Sequence, residues 1–441
     1  MQTKLTPEFF TLQAGREAET ILRSCVHCGL CNATCPTYQI LGDELDGPRG
    51  RIYLIKQMLE GGEVGRSTQQ HLDRCLTCLN CETTCPSGVE YGKLVSIGRA
   101  LVDQRVPRPR GERVHRWLLR EGLTSALFAP LLKIAQLGRG LVPGRWRRYV
   151  PPRAGLPAAG ARSAYPATAD PRQAGPHVAS NPAVGQHKAG WPAGHHQRKV
   201  LLLAGCVQPA MMPNINRATA RVLDAAGIQC LLAEGAGCCG ALREHLGDHA
   251  GGLVDARRNI DAWWPLVSAG SVEAIVMNAS ACGLAVKQYG EELNRDPAYS
   301  AKAVRISALA RDLSELLPDL VPALKEKLRP SATRRLTFHA PCTLQHGQRL
   351  RGTVDGPLAL LGFDVQLAAS DAHLCCGSAG AYSVLQPTLA RRLRDNKVAQ
   401  LLASQPECIV SANMGCIQHL QSATDVPVRH WVEVLDEAMV G

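Results

Sequence analysis

Between Arg51 and Leu59 apolar side chains recur at Ile52, Leu54, Ile55, Met58 and Leu59, the spacing of a helix with one buried face. Gly61-Gly62 ends it. The stretch up to Leu22, opened by Pro7-Glu8-Phe9-Phe10, reads as a helix as well, and residues 92–150 continue as basic amphipathic helices interrupted by Pro107 and Pro109. After residue 199 the pattern changes to short apolar runs. Val200–Leu203, Ile228–Leu232 and Glu273–Met277 read as strands, with a helical stretch from Asn214 to Ala226 stopped by Gly227. The same order returns in Leu336–His339, a helical stretch stopped by Gly362, Phe363–Leu367 and Cys408–Ser411. Strands alternating with helices predict α/β units built on parallel sheets. Residues 151–198 are dominated by Pro, Ala and Gly, with Leu156, Val178 and Val184 the only aliphatic side chains of branched type. Such a segment buries too little apolar surface to order itself, so it is expected to be a disordered linker spanning on the order of 40 Å.

Two cysteine ladders interrupt the helical N-terminal pattern. Cys25-Val-His-Cys28-Gly-Leu-Cys31-Asn-Ala-Thr-Cys35-Pro36 and Cys75-Leu-Thr-Cys78-Leu-Asn-Cys81-Glu-Thr-Thr-Cys85-Pro86 both follow C-x2-C-x2-C-x3-C-P, the run that ligates [4Fe–4S] clusters in bacterial ferredoxins. Three thiolates two residues apart lie on one tight loop and reach three corners of a cubane. The fourth points away and, in two-cluster ferredoxins, ligates the other cluster. One cluster is therefore expected on Cys25, Cys28, Cys31 and Cys85, and a second on Cys75, Cys78, Cys81 and Cys35. Zinc knuckles instead read C-x2-C twice. The longer-than-minimal segment between the ladders suggests a helical two-cluster domain with each cluster loop at a helix end.

The C-terminal repeat carries cysteines of its own. Cys206, Cys238, Cys239 and Cys282 in the first unit correspond to Cys342, Cys375, Cys376 and Cys416 in the second, with Gly after each adjacent pair. A duplication is the simplest account. The glycine lets backbone approach closely, and neighbouring thiolates suit a further metal, a cluster or redox thiols. Cys230 and Cys408 lie inside strand-like runs and are expected in the core. His339, His346 and His373 fall near these cysteines and are expected as core or surface residues.

The 18 cysteines sit in a chain of 441 residues whose first residues lack a basic-then-apolar leader, which favours a reducing, cytoplasmic setting and thiols free for metal. No apolar run has the length of a membrane span. The net charge of +11 is uneven, with twelve Lys or Arg against three acids between Arg99 and Val150. Without a nucleic-acid motif or aromatic interleaving, nucleic acid is excluded as the expected partner. An anionic membrane surface, an acidic partner face or simple solvation fit that segment better. No dinucleotide-binding fingerprint, P-loop or catalytic nucleophile is expected.

Two ferredoxin ladders followed by two CCG units resemble the iron–sulfur subunits of glycolate oxidase (glycolate dehydrogenase). The wider group includes the C subunit of anaerobic glycerol-3-phosphate dehydrogenase, lactate-utilisation proteins and heterodisulfide reductase subunits. Gly47-Pro-Arg-Gly-Arg-Ile-Tyr-Leu-Ile-Lys-Gln-Met-Leu59, Asn278-Ala-Ser-Ala-Cys282 and Ser411-Ala-Asn-Met-Gly-Cys416 carry the closest likeness. The wider group usually ends each unit with Cys-x-x-Cys, where this chain has Ala279 and Asn413 in the first of those positions. The resemblance implies an α+β multidomain fold. An α-helical two-[4Fe–4S] ferredoxin-type domain (1–110) and basic amphipathic helices (111–150) precede the 151–198 linker, and two repeated α/β CCG (cysteine-rich) domains (199–330 and 331–441) follow it. It also implies an electron-transfer subunit. An FAD-binding partner subunit would oxidise glycolate or D-lactate, and electrons would leave toward a quinone or other membrane acceptor, with the chain held peripherally on the inner membrane. The same wiring would serve glycerol-3-phosphate or L-lactate dehydrogenase, or a heterodisulfide-reductase-like enzyme with catalytic CCG sites.

Overall fold

A computed structural model of the chain describes residues 1–125, 127–138, 140, 191, 192, 194–329 and 334–439. Most of the linker expected at 151–198, together with 141–150, lies outside them. The N-terminal part is helical, with no strand among the described residues before Arg198. Its helices are α1 (Pro7–Thr11), α2 (Gln13–Ser24), α3 (Leu30–Ala33), α4 (Pro36–Leu41), α5 (Pro48–Leu59), α6 (Arg66–Asp73), α7 (Asn80–Thr84) and α8 (Tyr91–Arg105). The expected single helix up to Leu22 is broken at Leu12, whose extended backbone (ψ 135°) separates α1 from α2. Phe9, Leu22, Ile55, Leu59, Leu72 and Leu94 form the core of this domain. The central α8 belongs to that core through Leu94, Val95, Leu101 and Val102, so the surface helices of the basic segment begin only at α9 (Arg110–Thr124) and α10 (Phe128–Leu137).

The repeat forms two four-stranded parallel sheets with the same strand order. β1 (Arg198–Leu202), β2 (Ile228–Leu231), β3 (Ala274–Met277) and β4 (Ala310–Asp312) run in the order β2-β1-β3-β4. β5 (Arg335–His339), β6 (Asp364–Leu367), β7 (Cys408–Ser411) and β8 (Val428–His430) run as β6-β5-β7-β8. The short strands β4 and β8, absent from the hydropathy pattern, complete the sheets. Asp312 at the end of β4 and His430 at the end of β8 each open the next helix with a capping box.

One hydrophobic core runs through both units. Leu202, Val222 and Leu317 of the first unit belong to the same buried cluster as Phe338, Leu401, Val410 and Trp431 of the second. Polar contacts cross the same boundary: the Ser280 N–H donates to the Ala412 carbonyl at 3.0 Å, and Arg221 Nε donates to Asp436 Oδ1 at 2.8 Å. In parallel α/β sheets functional groups gather beyond the carboxyl ends of the strands, and that is where the repeated cysteines lie.

The Gly of each CCG segment has no room for a side chain. Gly240 and Gly377 have φ of 90° and 87°, and a Cβ on Gly377 would sit 2.6 Å from the Ala390 carbonyl oxygen. A left-handed backbone alone costs an L-residue about 1–2 kcal/mol. Gly377→Ala is expected to destabilise the repeat by at least about 2 kcal/mol once that contact is added, read as a lower denaturant midpoint; an unchanged midpoint would contradict this packing.

Candidate metal and electron-transfer centre

Each ladder folds as a loop followed by one short helical turn. Gly29 (φ 84°) precedes α3 and Leu79 (φ 61°) precedes α7, so a leucine takes in the second ladder the left-handed place that glycine fills in the first. His27 (φ 60°) and Thr77 (φ 49°) are left-handed too. Each sits two residues after the leading cysteine and turns its N–H back on that sulfur, His27 to Cys25 Sγ and Thr77 to Cys75 Sγ, both at 3.4 Å. The CCG glycines repeat the arrangement, with Gly240 N–H on Cys238 Sγ and Gly377 N–H on Cys375 Sγ, again at 3.4 Å.

Two cavities lie between the ladders. The first, about 450 Å³ including space open to solvent, is lined by Cys25, Cys28, Cys31 and Cys85. The second, about 300 Å³, is lined by Cys75, Cys78, Cys81 and Cys35. Cys81, Pro48 and Tyr91 line both, so the cavities share a wall. Cys28 is exposed at the first cavity, whereas Cys35, Cys75 and Cys81 of the second are buried. Burial pushes the Cys31 thiol up to about 11 and raises Cys35 and Cys81 as well. Burial thus favours the protonated thiol at Cys31, Cys35 and Cys81, and holding these three as thiolates needs a cation beside them.

Helix α5 supplies such charge. Arg49 lines the first cavity and Arg51 the second. Arg51 is fully enclosed, donating from Nε to the His71 carbonyl at 2.7 Å and from an Nη to Thr37 Oγ1 at 3.1 Å, with Asp46 at 3.5 Å. Burial works against its charge, but Tyr91, Cys75 and Cys35 hold its pKa above the usual value. Sequence reading used the Gly47–Leu59 segment for its helix and its resemblance and missed these two arginines as cavity residues; their alternation with Pro48 and Gly50 beside two ladders was the available signal.

In each CCG unit the thiols make an unbroken series. Cys206 contacts Cys238, Cys238 contacts Cys239, and Cys239 contacts Cys282. Cys342, Cys375, Cys376 and Cys416 do the same. Cys282 and Cys416 lie in the first turn of the helices Ser280–Glu292 and Met414–Gln421 rather than on strand ends. The second series continues into the N-terminal domain: contacts with Cys375 and then Cys78, followed by burial, push the Cys342 thiol up. No spacing rule predicts that Cys78–Cys342 contact. The segment Gly235-Ala-Gly-Cys-Cys-Gly240 spells G-x-G-x-x-G, contrary to the expectation from sequence. Two of its variable positions are the buried Cys238 and Cys239, and the helix after it runs only from Ala241 to His245, too short for a dinucleotide-binding crossover.

The histidines divide. His339 and His346 are buried and His373 is half-buried. His346 joins domains: Nδ1 is 3.0 Å from Thr83 Oγ1 and Nε2 donates to the His373 carbonyl at 2.8 Å. Cys230 is half-buried on β2 and Cys408 buried on β7.

Burial takes His346 down to about 4 from its ordinary value near 6.5. The unfolded histidine takes up a proton near pH 6.5 and the folded one only near 4, so stability present above 6.5 is lost as pH falls through that window. Comparing wild type with His346→Asn from pH 7 to 4 is expected to show up to about 3 kcal/mol of additional acid loss in the wild type; parallel pH curves would contradict the buried bridge.

Comparison with known proteins fits this geometry. Residues 21–89 match the family model for a 4Fe-4S dicluster domain, and residues 200–287 and 336–421 each match that for a cysteine-rich domain. The chain is 51% identical over 441 residues to the glycolate oxidase iron-sulfur subunit of Escherichia coli (strain K12), covering 100% of this chain and 99% of the relative. It is 30% identical over 420 residues to the probable glycolate oxidase iron-sulfur subunit of Bacillus subtilis (strain 168), covering 92% and 90%. Lactate utilization protein A of Bacillus licheniformis is 25% identical over 246 residues, 54% of this chain and 99% of that protein.

Proposed function

The chain belongs to the family of glycolate oxidase iron–sulfur subunits, and from that footing we propose that it carries electrons from a flavoprotein subunit that oxidises glycolate or D-lactate to a quinone or other membrane acceptor. A two-electron oxidation of a 2-hydroxy acid needs a hydride acceptor such as a flavin, and the substrate site falls to that partner. The observation that carries the reading is the pair of four-cysteine cavities sharing a wall. Cys25, Cys28, Cys31 and Cys85 would hold one [4Fe–4S] cluster and Cys75, Cys78, Cys81 and Cys35 the other. Such clusters supply one-electron carriers between a two-electron donor and its acceptor.

The chain's own groups set the conditions. His27 and Thr77 aim N–H groups at sulfur, and Arg51 places a buried positive charge at the second cavity; both raise a cluster's potential. The first cavity opens beside the exposed Val26 and Leu30, with the exposed Tyr53 edge-on to its lining residue His27, an apolar rim suited to the flavoprotein. The second cavity, through Cys78, abuts Cys342 and the CCG thiols, which would hold a further metal or cluster or act as redox thiols.

The decisive experiment is iron, acid-labile sulfide and EPR on anaerobically purified chain. About eight iron per chain and two interacting cubane signals are expected. Cys85→Ser is expected to remove the cluster that an aqueous chelator strips first, and Cys35→Ser to spare it. The reverse outcome would overturn the crossed assignment, and iron-free protein would overturn the function.

No described helix is long and apolar enough to cross a membrane. Helices α9 and α10 expose Val114, Trp117, Leu118, Leu131, Ile134 and Leu137. Several arginines of the basic segment are spent internally, Arg108 on Asp73 and Asp103 and Arg116 on Asp73. Arg110, Arg113 and Lys133 make no ion pair among the described residues. These groups support peripheral contact with anionic lipid on the cytoplasmic face of the inner membrane. Arg113→Glu is expected to weaken binding to anionic vesicles at least roughly fivefold, at about 1 kcal/mol per basic residue, and added salt to weaken it further. Binding indifferent to both would remove the membrane reading.

A further inference from the structure

The two repeats differ at a buried pair of strand-end positions beside the cysteines. By strand register, Val200 pairs with Ala274 in the first sheet where Leu336 pairs with Cys408 in the second. The residues that follow at the strand ends are Leu203 and Met277 in the first repeat and His339 and Ser411 in the second. All four are buried. Two apolar side chains have thus been exchanged together for two polar ones, in an interior where a polar group without a partner is costly.

The polar pair is aimed. His339 Nδ1 lies 3.0 Å from Ser411 Oγ, which lets Nδ1–H donate to the hydroxyl and leaves Nε2 with its lone pair outward. Nε2 has no hydrogen-bond partner and the residue is 2% exposed. It does have neighbours: one ligand atom each from His339, Cys376 and Cys416 lie within 4.8 Å of one another, and all three residues are buried. An imidazole with one nitrogen fixed by a hydrogen bond and the other left without a partner, in a cluster with two buried thiols, is the usual preparation of a metal ligand. One imidazole with two thiolates suits a borderline-soft divalent ion of the zinc class.

We propose that the second repeat holds a single zinc-class divalent ion on His339 Nε2, Cys376 Sγ and Cys416 Sγ, a site that the first repeat, with Leu203 and Met277 in those places, does not have. The inference deepens the metal role proposed for the CCG cysteines and rests on it. Binding exchanges two thiol protons for the ion: M2+ plus two Cys–SH gives the bis-thiolate complex and two H+, with no electron transferred. Cys375, whose thiol contacts that of Cys376, offers a further donor for a fourth position. The ion closes a buried, redox-silent site, and Cys342 keeps its contact with Cys78 outside this donor triad.

The test uses the full chain with its iron–sulfur clusters, purified anaerobically, with zinc and iron counted per chain and Co2+ as a spectroscopic probe. About one zinc beyond the cluster iron is expected, replaceable by Co2+ with thiolate-to-cobalt charge-transfer absorption. The double variant His339→Leu/Ser411→Met gives the second repeat the apolar pair that the first already packs. It should lose the zinc and the cobalt band at least tenfold while iron content and cubane EPR signals stay unchanged. Zinc retained by that variant, or wild-type chain with neither zinc nor a cobalt–thiolate band, would overturn the proposal. So would extra iron lost on Cys376→Ser but kept in the double variant, since that is a cluster on cysteines alone. Reduction of the clusters by the flavoprotein is followed on the same sample, so a failure of the electron-transfer reading is seen apart from a failure of the zinc site.

Discussion

Sulfur in a dry interior is the constraint around which this molecule is arranged. A buried thiolate is unfavourable until something positive faces it. The chain meets that need with a single backbone device used four times. Two residues after Cys25, Cys75, Cys238 and Cys375 stands a left-handed residue whose N–H points back at the sulfur. In the CCG units glycine takes that conformation without strain. In the ladders His27 and Thr77 take it with side chains that have other uses, His27 packing edge-on to Tyr53 and Thr77 meeting His245. The device is the same in unrelated folds because the chemistry, not the fold, asks for it.

Helix α5 adds the stronger charges. Asp46, with no exposed surface, holds Arg51 and Arg74 together and accepts from the Thr37 hydroxyl through its carbonyl, so the loop carrying Cys35 is tied to the helix carrying Arg51. A buried ion pair of this kind adds little net stability. Its worth lies in fixing a guanidinium beside the second cavity, where it biases any anionic occupant.

The ladders were legible from sequence because their information is local: four cysteines and a proline in one short run specify a loop. The parallel sheets were legible because their inner strands are continuous apolar runs, as in Ala274–Met277. Strands β4 and β8 were not, since Ala310-Arg-Asp312 and Val428-Arg-His430 are three residues long and carry charge. Residues that acquire meaning only through a distant partner were also hidden. Arg51 in a helix reads as surface until the cavity is seen beside it, and His339 at a strand end reads as any core histidine until its unpartnered nitrogen and its place beside Cys376 and Cys416 are seen together. The Cys78–Cys342 contact belongs to two elements that no local pattern relates.

The continuous core through both repeats makes the duplication a single folding unit. A single repeat standing alone would expose part of the apolar surface that the shared cluster of Leu202, Phe338 and Trp431 now buries, so each copy needs the other. Among the described residues, only the second touches the cluster domain through its thiol series, and only the second carries the His339–Ser411 pair. The ferredoxin-type domain meets the first half at Thr77–His245 and the second at Cys78–Cys342, unlike contacts on two like halves; in one chain a balanced pair has become a molecule with a front and a back.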